Sequence, residues 1–315
     1  MMAKSAKAQE RALKRRRLKR GLKRNASLYL LVAPVIIWFI LFCYIPMFGA
    51  IMAFQNFKPA AGFFGSTWVG LQHFKDFFGS YYFGRLLKNT LTLSISYMVV
   101  MFPLQVGLAL LLNEVRCLKF KKVVQTVTYM PHFISLVVIC GMVANFVGTN
   151  GIINDIVAFF GGERVDLLTQ PEAFAPIYVI SGIWQQLGWN SIIYIAAIAG
   201  VDQELYEASA IDGAGRLRQA FSVTIPGIMP TIVMMFILSL GSIINVGYEK
   251  IILLYNSGIY RTADVISTYV YRKGLEDMQY SYSAAVGLFN SVVTVVLVIV
   301  ANTIVKKLDD GMGLW

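Results

Sequence analysis

Acidic and basic residues fall along this chain in bursts, and the intervals between the bursts are long and apolar. No Asp, Glu, Lys or Arg occurs in residues 25–57, 89–113, 123–154, 173–201, 219–248 or 278–305, windows of 33, 25, 32, 29, 30 and 28 residues. A helix needs about 20 apolar residues to cross a bilayer core, so each window holds one span. We place the spans near 28–50, 89–112, 124–147, 175–199, 229–248 and 284–305. The apolar run Ile251–Tyr260 is too short to span. The pattern predicts an all-α integral membrane protein with six transmembrane helices. Pro34, Pro46 and Pro103 fall inside spans, where a proline kinks the helix and neighbours re-satisfy the freed backbone groups.

Composition agrees with this reading. The 315 residues are 57% hydrophobic and 14% charged, with a mean hydropathy of +0.62, where soluble domains carry about 25% charged residues. The charges then orient the spans. The segment "AKSAKAQERALKRRRLKRGLKR" holds eleven Lys and Arg against one Glu. An even span count puts both termini on one side. The tail, 113–122, 200–228 and the C-terminus together carry 19 Lys and Arg, against 9 in 50–88, 148–173 and 249–283. Lys and Arg are retained on the cytoplasmic side. The expected organisation is a basic cytoplasmic tail (1–27), a six-helix membrane domain (28–308) and a cytoplasmic C-terminal tail (309–315). A basic block before a span is an orientation signal with added attraction to anionic membrane lipid, so no nucleic-acid partner is read from it. It is not a cleaved signal peptide, since the apolar run after it is too long. The aromatics of the first outer segment, 51–88, suit a membrane interface.

The sequence offers no enzyme site. His73 and His132 are far apart, and neither HExxH nor CxxC occurs, so no metal site is expected. GxSxG is absent, and Gly213-Ala-Gly215 lacks the preceding strand and third glycine of a dinucleotide fingerprint. Cys43, Cys117 and Cys140 are too few and too scattered for a disulfide framework. The spans contain no ionisable group that would serve ion coupling, His132 excepted, and no phosphate-binding GxxxxGK[ST] occurs. The chain is therefore either a passive pore or is driven by a separate ATPase.

Two sets of polar residues stand out. In the fifth span Ser239, Ser242, Asn245 and Glu249 recur at steps of three, three and four, which places them on one helix face, with Tyr248 near the outer end. In the fourth, Trp184, Gln185, Gln186, Trp189 and Asn190 cluster near mid-depth, and Gln186 and Asn190 share a face. Serines of this kind often join membrane helices to each other. We expect Gln185, Gln186, Trp189, Asn190, Asn245, Tyr248 and Glu249 to line a solute path.

The cytoplasmic loop 200–228 has a defined local pattern. Asp202 suits a helix N-cap, and Glu204 the first turn. Gln203–Asp212 reads as a short helix and Gly213 as its C′ residue. Arg216–Ser222 reads as a second helix, stopped by Pro226. The small centre Ala208-Ser209-Ala210 suits close approach of another protein, and an amphipathic connector lying on the lipid surface fits as well.

Here the chain resembles a known family. Glu207-Ala208-Ser209, three residues, Gly213, nine residues and Val223-Thr-Ile225-Pro226 follow the Glu-Ala-Ala…Gly…Ile-x-Leu-Pro pattern of the coupling loop in permease subunits of ATP-binding-cassette importers. "LYEASAIDGAGRLRQAFSVTIPGIMPT" is similar to the carbohydrate permeases of the maltose-permease class. "NTLTLSISYMVVMFPLQVGLALLLNE", "MPHFIS", "NGIINDI", "DVISTYVYRKGL" and "YSYSAAVGLFNS" resemble its branch for oligosaccharides and polysaccharide fragments. The resemblance covers about 28–308. It implies a type I importer permease in a bacterial plasma membrane, forming half of a pathway with a second, related permease. It further implies a cytosolic ATPase dimer that carries ATP and Mg, an extracellular solute-binding protein and a carbohydrate cargo. Glu204, Glu207, Ala208, Ser209, Asp212, Gly213 and Pro226 would form the ATPase contact. An ATP-independent sugar channel, or a permease for a non-sugar solute, is the alternative.

Overall fold

The computed structural model describes residues 25–308 and Gly313. The expected tails, 1–27 and 309–315, lie almost wholly outside these residues. The described chain is helical nearly throughout. Its main helices are α1 (Ala26–Phe54), α2 (Tyr82–Glu114), α3 (Leu118–Tyr129), α4 (Leu136–Val147), α5 (Ile152–Phe159), α6 (Phe174–Ile198), α7 (Gln203–Ile211), α8 (Arg216–Gly227), α9 (Met229–Leu240), α10 (Tyr248–Leu254), α11 (Ile266–Tyr271) and α12 (Tyr280–Leu308). A two-residue antiparallel pairing, Gln55–Asn56 with Thr67–Trp68, closes the segment after α1.

Among the described residues, four stretches are long and apolar enough to cross a membrane: α1, α2, α4 with α5 (Leu136–Phe159), and α12. A fifth arises if α8 and α9, bent by 65° at Ile228, count as one. Helix α6 has 25 residues, enough in length, but its middle carries the Trp184–Asn190 polar cluster. The third window is not one helix from 124 to 147. It breaks at Met130–Ser135, where Pro131 fixes a tight 3-10 turn.

The fifth window is also corrected. Helix α9 ends at Leu240, and 241–247 has no regular structure. The cause is local. Ser239 Oγ donates to Phe236 O (2.7 Å) and Ser242 Oγ to Ser239 O (2.8 Å), so the serines bond their own backbone in competition with the helical pattern. Carbonyls freed by the break are met from elsewhere. Ser94 donates to Ile243 O, and Ser267 Oγ to Val246 O at 3.0 Å. Irregular backbone at membrane depth needs such partners.

Two prolines sit in widened turns. A π turn at Ile40–Tyr44 leads into Ile45-Pro46, and another at Ala220–Thr224 into Ile225-Pro226. Proline cannot donate an N–H and crowds the carbonyl four residues back; a wider turn accommodates it without ending the helix. Pro226 therefore does not stop α8, which continues to Gly227.

Helices α2 and α6 share the most extensive contact in the bundle. Helix α6 meets α3 at Gly188, where an added Cβ would lie 2.3 Å from Thr128 O. Only glycine permits that approach. One core cluster joins Leu93, Ile139, Cys140, Val143, Phe174, Val246 and Ile251. A second gathers around Phe77, Leu86, Ile244, Ile266 and Val286, and it takes Phe77 out of the aromatic interface expected for the first outer segment. Phe77 is fully buried against Phe83 and Phe289, while Phe64 and Tyr81 stay exposed.

Candidate functional site

The loop between α6 and α9 folds largely as its sequence signals. Asp202 Oδ1 accepts from Glu204 N (3.0 Å) and caps α7. At the other end Asp212 is the C-cap and Gly213 has φ +77°. Gly213 N–H donates to Ala210 O (3.0 Å) and Ala214 N–H to Ser209 O (2.9 Å), which satisfies carbonyls left over at the helix end. Helix α8 then packs back on α7: Gln219 Nε2 donates to Tyr206 O (3.3 Å), and the Tyr206 hydroxyl lies 2.9 Å from Thr224 Oγ1. The hairpin is seated on the bundle by Ala109, Tyr194, Ile198, Val201 and Ile228. Its far side is open. Glu204, Glu207, Ala208, Asp212, Gly213 and Pro226 are exposed. Ser209 is half-buried and donates to Tyr206 O (3.1 Å). Ile211 and Leu217, 87% and 79% exposed, add apolar surface beside them.

Inside the bundle a cavity of about 440 Å³ is lined by Tyr97, Tyr178, Gln185, Gln186, Asn245, Tyr248, Glu249 and Lys250, among others. A smaller one of about 170 Å³ shares Tyr97, Tyr178 and Asn245 and adds Ser94, Gln105, Ser239 and Ser242. The structure thus brings Gln185 and Gln186 on α6 to Asn245, Tyr248 and Glu249. It does so by a route the sequence did not suggest. The fifth-span stripe of Ser239, Ser242, Asn245 and Glu249 is not one helical face, because the helix ends at Leu240 and Glu249 opens α10. Trp189 lies beside the cavity, stacked on His132 (4.2 Å between centroids, 2° between planes). His132 Nδ1 donates to Gln186 Oε1 (2.9 Å). Asn190 is half-buried and is not among the lining residues.

Sequence reasoning missed Tyr97, Tyr178 and Lys250. Both tyrosines lie inside charge-free windows, where an isolated phenol is a usable signal. Lys250 stands just beyond a window and was counted among flanking charges. It is buried (7% exposed), donates to Tyr178 O (3.0 Å) and sits 4.9 Å over the Tyr178 ring. The segment after it also enters the bundle rather than forming an outer loop. Asp264 is fully buried, with Arg272 Nη2 and Nη1 at 2.7 and 3.3 Å, Arg85 at 3.8 Å and Thr268 Oγ1 at 2.8 Å. Desolvation opposes the Arg272 charge, and the bond to Asp264 outweighs it, so its pKa is raised. No cluster of metal ligands occurs among the described residues.

A multi-pass helical membrane protein with a polar, aromatic-walled cavity and an exposed helical hairpin has the form of a transport permease. The chain belongs to the family described as binding-protein-dependent transport system inner membrane component, whose model matches residues 77–313. It is 45% identical to the polygalacturonan/rhamnogalacturonan transport system permease protein YteP of Bacillus subtilis (strain 168), over 94% of this chain and 93% of that one. It is 44% identical to protein LplB of the same organism, over 92% of each. Among solved structures, it matches a chain of a bacterial ABC transporter involved in the import of the acidic polysaccharide alginate. That match has a TM-score of 0.86 and 44% identity, and covers 93% of this chain and 99% of the other. A chain of the bacterial alginate ABC transporter in complex with an alginate pentasaccharide-bound periplasmic protein matches with a TM-score of 0.86 and 43% identity.

Proposed function

We propose that this chain is one permease half of an ATP-driven importer of oligosaccharides or polysaccharide fragments. It sits in a bacterial plasma membrane with both termini cytoplasmic. The observation that carries the reading is the joint presence of the polar cavity and the exposed hairpin. Sugars need hydrogen-bonding groups and aromatic faces, and Gln185, Gln186, Asn245, Glu249, Tyr97, Tyr178 and Tyr248 supply both. Trp189 orders the wall through His132, and Asn190 stands one turn from Gln186. The hairpin offers Glu204, Glu207, Ala208, Ser209, Asp212 and Gly213, with Pro226 at its base, to the cleft of a cytosolic ATPase dimer that binds ATP and Mg. Hydrolysis on that subunit would alternate the access of this chain and a second, related permease. An extracellular solute-binding protein would deliver the sugar. The similarity to transporters of polygalacturonan, rhamnogalacturonan and alginate supports a polymer-derived cargo. The exposed apolar residues Ile211 and Leu217 favour a protein partner for the hairpin, since they stand among charges of both signs at its tip, Asp212 beside one and Arg216 and Arg218 beside the other.

The test is uptake of labelled oligosaccharide into proteoliposomes holding the complete complex and binding protein. Uptake should require ATP and cease in Glu207→Lys. Equal uptake without ATP would establish the facilitator reading instead.

A further inference from the structure

Among the described residues two charged side chains lie deep in the protein, and they are treated differently. Asp264 is surrounded by Arg272, Arg85 and Thr268. Lys250 is comparably buried, yet among the described residues its only hydrogen bond is to Tyr178 O and it makes no ion pair with a carboxylate. An ammonium has three donors, and the ring face of Tyr178 takes part of one side. A buried, unpaired cation is costly unless something compensates it. The place left for compensation is the cavity of about 440 Å³ that Lys250 lines with Gln185 and Gln186.

We infer that Lys250 forms an anion-reading subsite in this cavity, and that the cargo is an oligosaccharide bearing an acidic group. The inference rests on the oligosaccharide reading above. The acidic group is a uronate carboxylate or a sulfate ester, either of which accepts charge-assisted hydrogen bonds from an ammonium. Gln185 and Gln186 donate beside it and orient the sugar ring. Glu249 lines the same cavity but is exposed and makes no ion pair with Lys250; it accepts from hydroxyls rather than cancelling the cation. The acidic group enters with its proton already lost and leaves unchanged, so no chemistry accompanies transit.

The test is equilibrium binding to the assembled complex in nanodiscs. Three probes are used: trigalacturonate, its carboxyl-reduced neutral counterpart, and a galactose trimer sulfated at O6. Wild type should bind one anionic trimer at least about tenfold more tightly than the neutral one, and the preferred trimer tells carboxylate from sulfate. Lys250→Met should erase that preference while neutral binding stays, and Lys250→Arg should keep it. Should Lys250→Met not assemble, Lys250→Gln, which keeps a donor for Tyr178 O, takes its place. Equal binding of all three trimers by wild type, or an anionic preference that survives Lys250→Met, overturns the subsite and leaves the oligosaccharide reading standing. Binding of none of the three removes the oligosaccharide reading and the subsite with it.

Discussion

Asp264→Ala should be among the most damaging single changes in this chain. The carboxylate is fully buried and holds two bonds from Arg272, one from Thr268 and the nearby charge of Arg85. Removing one partner of a buried pair typically costs about 3–5 kcal/mol, because the other charge is left uncompensated. Arg272 keeps its place 4.5 Å over the Tyr260 ring, and the Arg85 and Arg272 side chains are 26% and 17% exposed, so the lower half of that range applies here. That corresponds to a change of more than about 100-fold in the unfolding equilibrium. The double variant Asp264→Ala/Arg272→Met should recover about 1–2 kcal/mol, since it removes the stranded guanidinium. The clamp also serves the cavity. It anchors the start of α11, whose Ser267 holds Val246 O in the irregular 241–247 segment, so uptake per complex should fall as well. Unfolding by SDS in mixed micelles measures the first effect, and proteoliposome uptake the second. A single variant within about 0.5 kcal/mol of wild type, or a double variant worse than the single, would refute the reasoning.

Other expectations follow from the hairpin and the cavity. Gly213→Val forces a β-branched residue to φ +77° at a cost of about 1–3 kcal/mol; uptake should be lost with the protein still inserted, and wild-type uptake at equal membrane levels would exclude a coupling role. Gln186→Leu leaves His132 Nδ1 without its acceptor, and Asn245→Leu removes a polar wall residue. Both should lower uptake in complexes that still co-purify. Loss of assembly with unchanged uptake per complex would make these residues helix-joining groups instead. The isolated chain should not hydrolyse ATP, as it has no phosphate-binding loop; hydrolysis by purified protein, abolished by a point change in this chain, would contradict the separate-ATPase reading.

What the sequence determined by itself was whatever depends on near neighbours along the chain. The hairpin was legible because a cap at Asp202, a left-handed turn at Gly213 and the restart at Arg216 act over a few residues. Apolar windows were legible because lipid demands long stretches without charge. The tertiary structure decided everything that needed a distant partner. The break after Leu240 is tolerable only because Ser94 and Ser267 reach its carbonyls, 149 and 21 residues away in sequence. Lys250 reads as one more flanking charge and nothing singles out Asp264, since nothing local announces that Tyr178 will meet one and Arg85 the other. For the same reason Gln186 and Asn245 could be nominated as path residues from composition, while their meeting in one cavity depended on how α6 packs against an unwound segment. Charge patterning records where solvation is cheap, and a buried charge escapes that rule when the fold supplies a replacement for water.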